Sequence, residues 1–318
     1  GSGFDNRGAL QSAAFSTNIW SGAVLLNDVV AWTPRLGNKT NGVLIVSGPI
    51  RANVAGATNL FISGEPGGRV VIAGTTNTYK GLTGVVRGTL ALGANNALPT
   101  TTTIDMHPAV VTDAAIFDLN GYSQTIAALF ETSMAGPRCL TNGSATASTL
   151  TLNQSMNATF AGRIDGNVGL VKDGAGTLTL SGTNNTFSGA TTLKAGSLVL
   201  AADGALSPFA PLTLAGGTLA VGATRTAVQQ LTVSGDATID LGDGTGLFTI
   251  GDSSAQAWSG TLNFTGTFVP SSIQFGTTRV GLTQDQLSLI RINGQRRWLM
   301  LNASGYLTIR KGMVIDVL

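Results

Sequence analysis

Asp236, Asp240 and Asp243 fall within DATIDLGDGTG (236–246), the densest run of carboxylates in a chain with only 16 acidic residues. Three oxygen-bearing side chains so close could coordinate calcium, or work on a polysaccharide if a basic group joined them. The alternation opposes convergence. Ile239 and Leu241 take the inward face of a strand, Asp236 and Asp240 share the outer one, and the spacing matches no calcium-loop pattern. The three read as solvated turn and outer-strand residues. Asp105, His107 and Asp113, with Arg138 further along, form the second group. A His–Asp pair could move a proton, yet His107 precedes Pro108 in an expected turn, where a lone histidine is usually just exposed. Glu131 and Asp165 show no partner in the sequence. Cys139 is the one cysteine, which excludes an internal disulfide or a cysteine-rich metal site. GEPGG (64–68) and GDGTG (242–246) lack the lysine and hydroxyl residue that close a phosphate loop, and they read as turns. The expectation is therefore no catalytic residue, no metal ligand and no cofactor.

The elements that would have to position any such group are short strands. The chain has 318 residues, 43 of them glycine, and only 11% are charged. Hydrophobic content of 43% is too high for a disordered linker. Net charge is +2, so no whole-chain field calls for nucleic acid. The surplus is local, because Arg291, Arg296, Arg297, Arg310 and Lys311 crowd the C-terminal end. No apolar run is long enough to span a membrane as a helix. Triplets of the N-x-S/T kind at Asn38, Asn142, Asn153, Asn157, Asn184, Asn263 and Asn302 are what an Asn- and Thr-rich composition produces.

GTLTLSGTNNTFSGATTLKAGSLVL (176–200) repeats GRVVIAGTTNTYKGLTGVVRGTLAL (68–92) at a displacement of 108 residues without a gap. Ten of the twenty-five positions are identical, among them Gly74/Gly182, Asn77/Asn185, Gly81/Gly189 and Gly88/Gly196. Apolar pairs recur at Leu178/Leu180, Leu198/Leu200, Leu219/Val221 and Ile239/Leu241. A second series runs Thr191/Leu193, Leu212/Leu214, Leu231/Val233 and Phe248/Ile250. Each pair alternates with period two between turn residues, and no helical period competes.

Two interleaved strand series about 20 residues apart predict an all-β fold, a single parallel β-solenoid. Each turn would lay its strands on the turn before, with leucines inside and glycine or asparagine at the corners. About fourteen turns are expected, giving a rod on the order of 65 Å. Residues 1–270 are assigned to the solenoid, with repeat copies at about 60–130 and 168–242. Residues 129–142 are the least regular and could hold a protruding loop. Residues 271–318 are assigned to a C-terminal cap or assembly segment, with a short helix over 283–290 capped by Thr283 or Asp285.

GLVKDGAGTLTLSGTNNTFSGATTLKAGSLVL (169–200) resembles the autotransporter-associated β-strand repeat. Leu170, Lys172, Gly174, Gly176, Leu178, Leu180, Gly182, Asn184, Phe187, Gly189, Thr191, Gly196 and Leu198 match its pattern. The first copy matches less well, with Gly64 in place of the lysine. The opening residues 8–27, with Trp20 and Gly22, resemble the lead-in to such repeats. The end resembles the C-terminal domain of large secreted proteins built from them. The resemblance implies a secreted, surface-associated β-helix serving as stalk, display scaffold or adhesin. No outer-membrane barrel sequence follows Leu318, so export by separate machinery with a cleaved signal is the expectation.

The function expected is an extracellular structural protein at the cell surface. It would be a stalk or adhesin presented to a cell-surface glycan, or a fibre subunit pairing head to tail with copies of itself. The alternative is a polysaccharide-binding or polysaccharide-cleaving β-helix. A subunit contact is expected over 303–318, carried by Leu307, Ile309, Met313, Ile315 and Val317.

Overall fold

The structure is a computed structural model that describes residues 9–26, 34–52, 58–132 and 135–310. It is nearly all β, a solenoid of about eleven turns with one short helix. The strands form sheets of twelve, seven, six and three members, with two smaller pairs. Among the described residues every strand pairing is parallel, apart from the antiparallel pair Leu299–Leu301 with Leu307–Ile309 and two isolated bridges. Each turn thus satisfies its backbone groups on the turns below and above it.

The alternation read from the sequence is the burial pattern of the strands. In Thr177–Leu180 and Ser197–Leu200, Leu178, Leu180, Leu198 and Leu200 are buried and the residues between them face out. Like residues stack in register: Leu178 pairs with Leu198, Leu198 with Leu219, Leu219 with Ile239, and Ile239 with Phe264. These ladders join one core that runs from Leu26 to Leu307. Its narrow bore favours aliphatic residues, because each side chain must pack against its counterparts one turn away.

The repeated glycines lie where turns touch. A Cβ on Gly189 would sit 2.4 Å from the carbonyl carbon of Val168, and one on Gly81 2.5 Å from that of Thr58, each in the turn below. Gly88 and Gly196 take the left-handed conformation, at φ +84° and +68°. Asn184, at φ +58°, turns the corner beside Asn185.

Asn77 and Asn185 are not turn formers but staples between turns. The Oδ1 of Asn185 accepts from the Ile164 N–H at 2.7 Å in the turn below. Its Nδ2 donates to the Gly182 carbonyl and, at 2.8 Å, to the Ala205 carbonyl in the turn above. Asn77 repeats the set: it accepts from Ile50 at 2.6 Å and donates to Gly74 at 2.7 Å and to Ala97 at 2.6 Å. One amide therefore bridges three consecutive levels of the coil.

Lys172 occupies an inward position of a leucine column, between Leu152 and Leu193. It is fully buried, and its Nζ donates to the carbonyls of Asp173 at 3.0 Å, Gly174 at 2.8 Å and Ala195 at 3.2 Å. Burial pushes its ammonium below the usual lysine range, against a smaller upward pull from Asp173. The folded state therefore binds this proton less tightly than the unfolded chain. Stability attributable to Lys172 rises with pH from the lowered folded value up to the unfolded value of about 10.4. Unfolding measured across that window is expected to show this upward slope in the wild type and to lose it in Lys172→Met. Equal slopes in both proteins would refute the assignment.

Three expectations change. The turn count is about eleven rather than fourteen, and about eleven turns at 4.8 Å give a rod on the order of 50 Å. The 20-residue period holds in the second copy, but Leu10 and Leu36 pair 26 positions apart, as do Gln124 and Leu150, and Leu262 and Ile290 pair 28 apart. Longer corner segments take up the difference. Phe248/Ile250 does not continue the Thr191–Leu212–Leu231 column. It belongs to a separate sheet, stacked between Arg225–Val228 and Ile273–Phe275. Residues 129–142, the least regular stretch, carry the end of Ala128–Phe130 and the stacked strand Arg138–Thr141, and residues 133–134 between them lie outside the described residues.

Parallel stacking continues past residue 270 to Ile290–Ile292, which pairs with Leu262–Thr265. The helix α1 (Gln284–Ser288) is shorter than expected and is capped by Thr283 in a capping box with Gln286. The Gln286 amide reaches back to the carbonyls of Ser253 and Gln256, fixing the helix on the last turn. The hairpin Leu299–Leu301/Leu307–Ile309 packs beside it.

Candidate functional site

The carboxylates of 236–246 do not converge. Asp236 accepts from the Thr261 N–H and hydroxyl, both at 2.8 Å, one turn on, and these bonds hold its carboxyl below the usual range. Asp243 accepts from the N–H and hydroxyl of Thr245, which lower its carboxyl in the same way. Asp240 accepts from the Gly242 N–H. Asp240 and Asp243 are occupied with their own corner, and Asp236 with the turn above. Among the described residues no group of three or more His, Cys, Asp and Glu is placed to hold a metal ion.

Asp105 and His107 do meet. The His107 Nδ1 lies 3.0 Å from the Asp105 carboxylate, which also accepts from the Thr132 N–H at 3.0 Å and hydroxyl at 2.8 Å. The imidazole stands edge-on to Phe61 at 5.5 Å. Asp113 is not part of the pair and faces Arg87 at 3.4 Å. The two acids without a visible partner in the sequence both have one. Glu131 pairs with Arg138 and accepts from the Ala161 N–H, and Asp165 pairs with Arg163 at 2.6 Å. Burial raises the Glu131 carboxyl despite Arg138, and it pushes the Cys139 thiol up to about 11. A thiol held there is a poor nucleophile at neutral pH. Arg69 spans turns to reach Asp118 at 2.8 Å, and Asp118 also accepts from Asn120 and Gly143. Arg69–Asp118, Arg87–Asp113 and the Ala161 bond to Glu131 tie different turns together, whereas Glu131–Arg138 and Arg163–Asp165 are contacts within a turn.

The repeat residues Gly74, Asn77, Gly81, Gly88, Gly182, Asn185, Gly189 and Gly196 are likewise occupied in holding the coil. At the C-terminal end, Leu307 is turned into the chain's own core while Ile309 stays exposed. Met313, Ile315 and Val317 lie outside the described residues. Large exposed apolar side chains occur along the coil, at Val110, Val111, Met156 and Phe209, and at its two ends. Phe15, Ile19, Trp20 and Leu25 are on the first turn, and Trp298 and Ile309 are on the cap. Trp298, 79% exposed, borders a groove with Arg296 and Arg297, which the sequence flagged only as part of a basic cluster.

A family model described as Passenger-associated-transport-repeat matches residues 170–200. A curated relative, the adhesin BmaC autotransporter of Brucella suis biovar 1 (strain 1330), is 29% identical over 203 residues. That alignment takes in 61% of this chain and 6% of the adhesin, so the chain corresponds to a small part of that relative. No solved structure matches the chain. No described helix is long and apolar enough to cross a membrane. The matched repeat spans two strands, an Asn185-stapled corner and the two strands stacked on them, and together with the adhesin similarity and the solenoid these features fit an autotransporter passenger-like repeat protein.

Proposed function

We propose that this chain is a section of an extracellular adhesin-like β-helix, a non-enzymatic rod that holds an adhesive surface away from the cell. The observation that carries the reading is the 203-residue similarity to a part of an autotransporter adhesin. The side chains support it, since the acids and bases along the coil are engaged in pairs within and between turns rather than gathered in a cleft. Cleavage of polysaccharide finds no support in a pair of carboxylates facing a common space.

Self-assembly into a fibre is the second use of the same rod. It is favoured by one feature: Ile19, Trp20 and Leu25 are exposed on strands of the first turn, with Phe15 at the corner before them, and among the described residues those strands pair only with the turn above. The capped C-terminal end offers a less open edge, which favours the single rod over the fibre.

Beads coated with the purified chain are expected to adhere to cells several-fold more than beads carrying an unrelated protein, and soluble chain should compete that adhesion away. Adhesion no better than the control would reject the adhesin reading. Electron microscopy of the same preparation over a concentration range is expected to show rods of one length. Rods that lengthen with concentration would establish the fibre instead.

A further inference from the structure

The cap presents a groove that the coil does not need. Its walls are α1 and the segment entering the hairpin, and it is lined by Gln284, Ser288, Arg296, Arg297 and Trp298 over a floor of Leu287 and Leu299. The floor is buried, whereas the five lining side chains are exposed. Both walls are fixed. The Gln286 amide ties α1 to the last turn, and the Arg310 N–H donates to the Trp298 carbonyl at 2.7 Å, holding the indole's backbone in the hairpin.

What those walls display is a flat aromatic face beside two guanidinium groups that no described carboxylate neutralises. The nearest acid in sequence, Asp285, lies on α1, and it is the one acidic residue between Asp252 and the end of the described chain. Over the same stretch stand Arg279, Arg291, Arg296, Arg297 and Arg310. An indole on a rigid backbone offers a stacking surface at little entropic cost. Guanidinium groups offer forked donors matched to a carboxylate, and Gln284 and Ser288 add neutral hydrogen bonds for hydroxyls. Flat apolar faces, many hydroxyls and a carboxylate on each ring describe one class of ligand.

We propose that this groove binds a carboxylate-bearing polysaccharide of the uronate type, with a sugar ring on Trp298 and its carboxylate on Arg296 and Arg297. The inference rests on the adhesin-like reading for its setting, and its chemistry comes from the groove alone. Nucleobases or a membrane interface would also accept the indole, but neither matches ring hydroxyls to the neutral Gln284 and Ser288 side chains with a carboxylate on the two guanidinium groups.

The test is binding of polygalacturonate to the full chain, with its methyl ester as the neutral twin. Wild type is expected to bind polygalacturonate about tenfold more tightly than the ester, a difference of about 1.4 kcal/mol. Added salt should weaken binding of the acid but not of the ester. Trp298→Ala is expected to weaken binding of both polymers about tenfold. Arg296→Gln with Arg297→Gln should remove the preference for the acid. The three side chains are exposed, so unfolding midpoints should stay at the wild-type value and confirm intact caps.

Equal binding by wild type and Trp298→Ala would overturn the proposal. So would binding of polyglutamate, duplex DNA or phosphatidylglycerol vesicles as tight as that of polygalacturonate, since charge alone would then suffice. The bead assay separates the two readings. Beads that adhere to cells while the chain ignores polygalacturonate would sink the groove and leave the adhesin. A chain that binds polygalacturonate in the groove while its beads fail to adhere would do the reverse.

Discussion

Asn185→Leu is expected to lower the stability of the surrounding turns by about 3–9 kcal/mol. The estimate comes from three backbone groups that the amide alone serves in this geometry. The Ile164 N–H loses its acceptor, and the carbonyls of Gly182 and Ala205 lose a donor. Leaving one buried polar group unpaired costs about 1–3 kcal/mol. Asn185 is only 3% exposed, so water has little access to take over. Leucine fills the volume but supplies neither donor nor acceptor. Asn185→Asp should be worse, because it turns an anionic oxygen toward two carbonyls. Asn77→Leu removes the same three bonds at a half-buried corner, and about half the cost is expected there. A solenoid is held by neighbour-to-neighbour contacts, so the damage should be local. Hydrogen exchange should show lost protection around Ile164, Gly182 and Ala205, with the strands near Leu44 and Val70 unchanged. A loss in denaturant midpoint equivalent to less than about 1 kcal/mol would show that the staple is not needed.

That residue also marks the boundary of what could be read beforehand. The leucine alternation fixes which side chains enter the core, because period two leaves no other choice once strands stack. It says nothing about which face of the coil a strand joins. Phe248/Ile250 therefore looked like the next member of a column that, in fact, ends among the strands at Leu231–Val233. Asn77 and Asn185 stood out as identical between copies, each three residues after a repeated glycine. Asparagine before a corner has two explanations, however. Its local turn geometry is carried by the neighbouring Asn184, while its partners above and below lie about twenty residues away in sequence. Lys172 shows the same limit. A charged residue within an apolar alternation reads as an exposed or slipped position, and only the third dimension brings Ala195 within reach of its ammonium.

The charged pairs were less legible still. Glu131 follows one strand and Arg138 opens the next within the same turn, and nothing in their spacing along the chain announces the contact. The groove at the cap is of this kind too. The basic cluster was visible as composition, but the exposed indole beside it depends on a hairpin that leaves Trp298 outside and Leu299 inside. Between the copies, Tyr79 is replaced by Phe187. The structure supplies the reason: the buried Tyr79 hydroxyl bonds to Thr83 at 2.6 Å, and Thr83 bonds in turn to Thr102 at 2.9 Å. The second copy keeps only Thr191 of that chain of hydroxyls, so a phenol there would face no equivalent of Thr102.

Gly189→Val is expected to cost at least about 3 kcal/mol, by a route unlike that of the asparagine. Gly189 has no left-handed conformation to defend; the obstacle is space. A Cβ would meet the Val168 carbonyl carbon at 2.4 Å and both the Val168 oxygen and the Gly169 nitrogen at 2.5 Å. All three are backbone atoms of the turn below and cannot rotate away as a side chain would. The turns must part locally, stretching the bonds from Ser188 to Gly166 and from Leu170 to Ala190 that join them. Inserting atoms into a packed interior costs about 1–3 kcal/mol when side chains can yield, and more when only backbone can. Gly222→Ala provides the contrast. At φ +50°, with nothing within 4 Å of the added carbon, it carries conformational strain alone, about 1–2 kcal/mol. Denaturant unfolding of the two variants therefore separates crowding from strain. If Gly222→Ala proves the more damaging, the repeated glycines are conformational hinges rather than spacers. If Gly189→Val dominates, as the stacking distance requires, Gly189 sets how closely one turn can lie on the next.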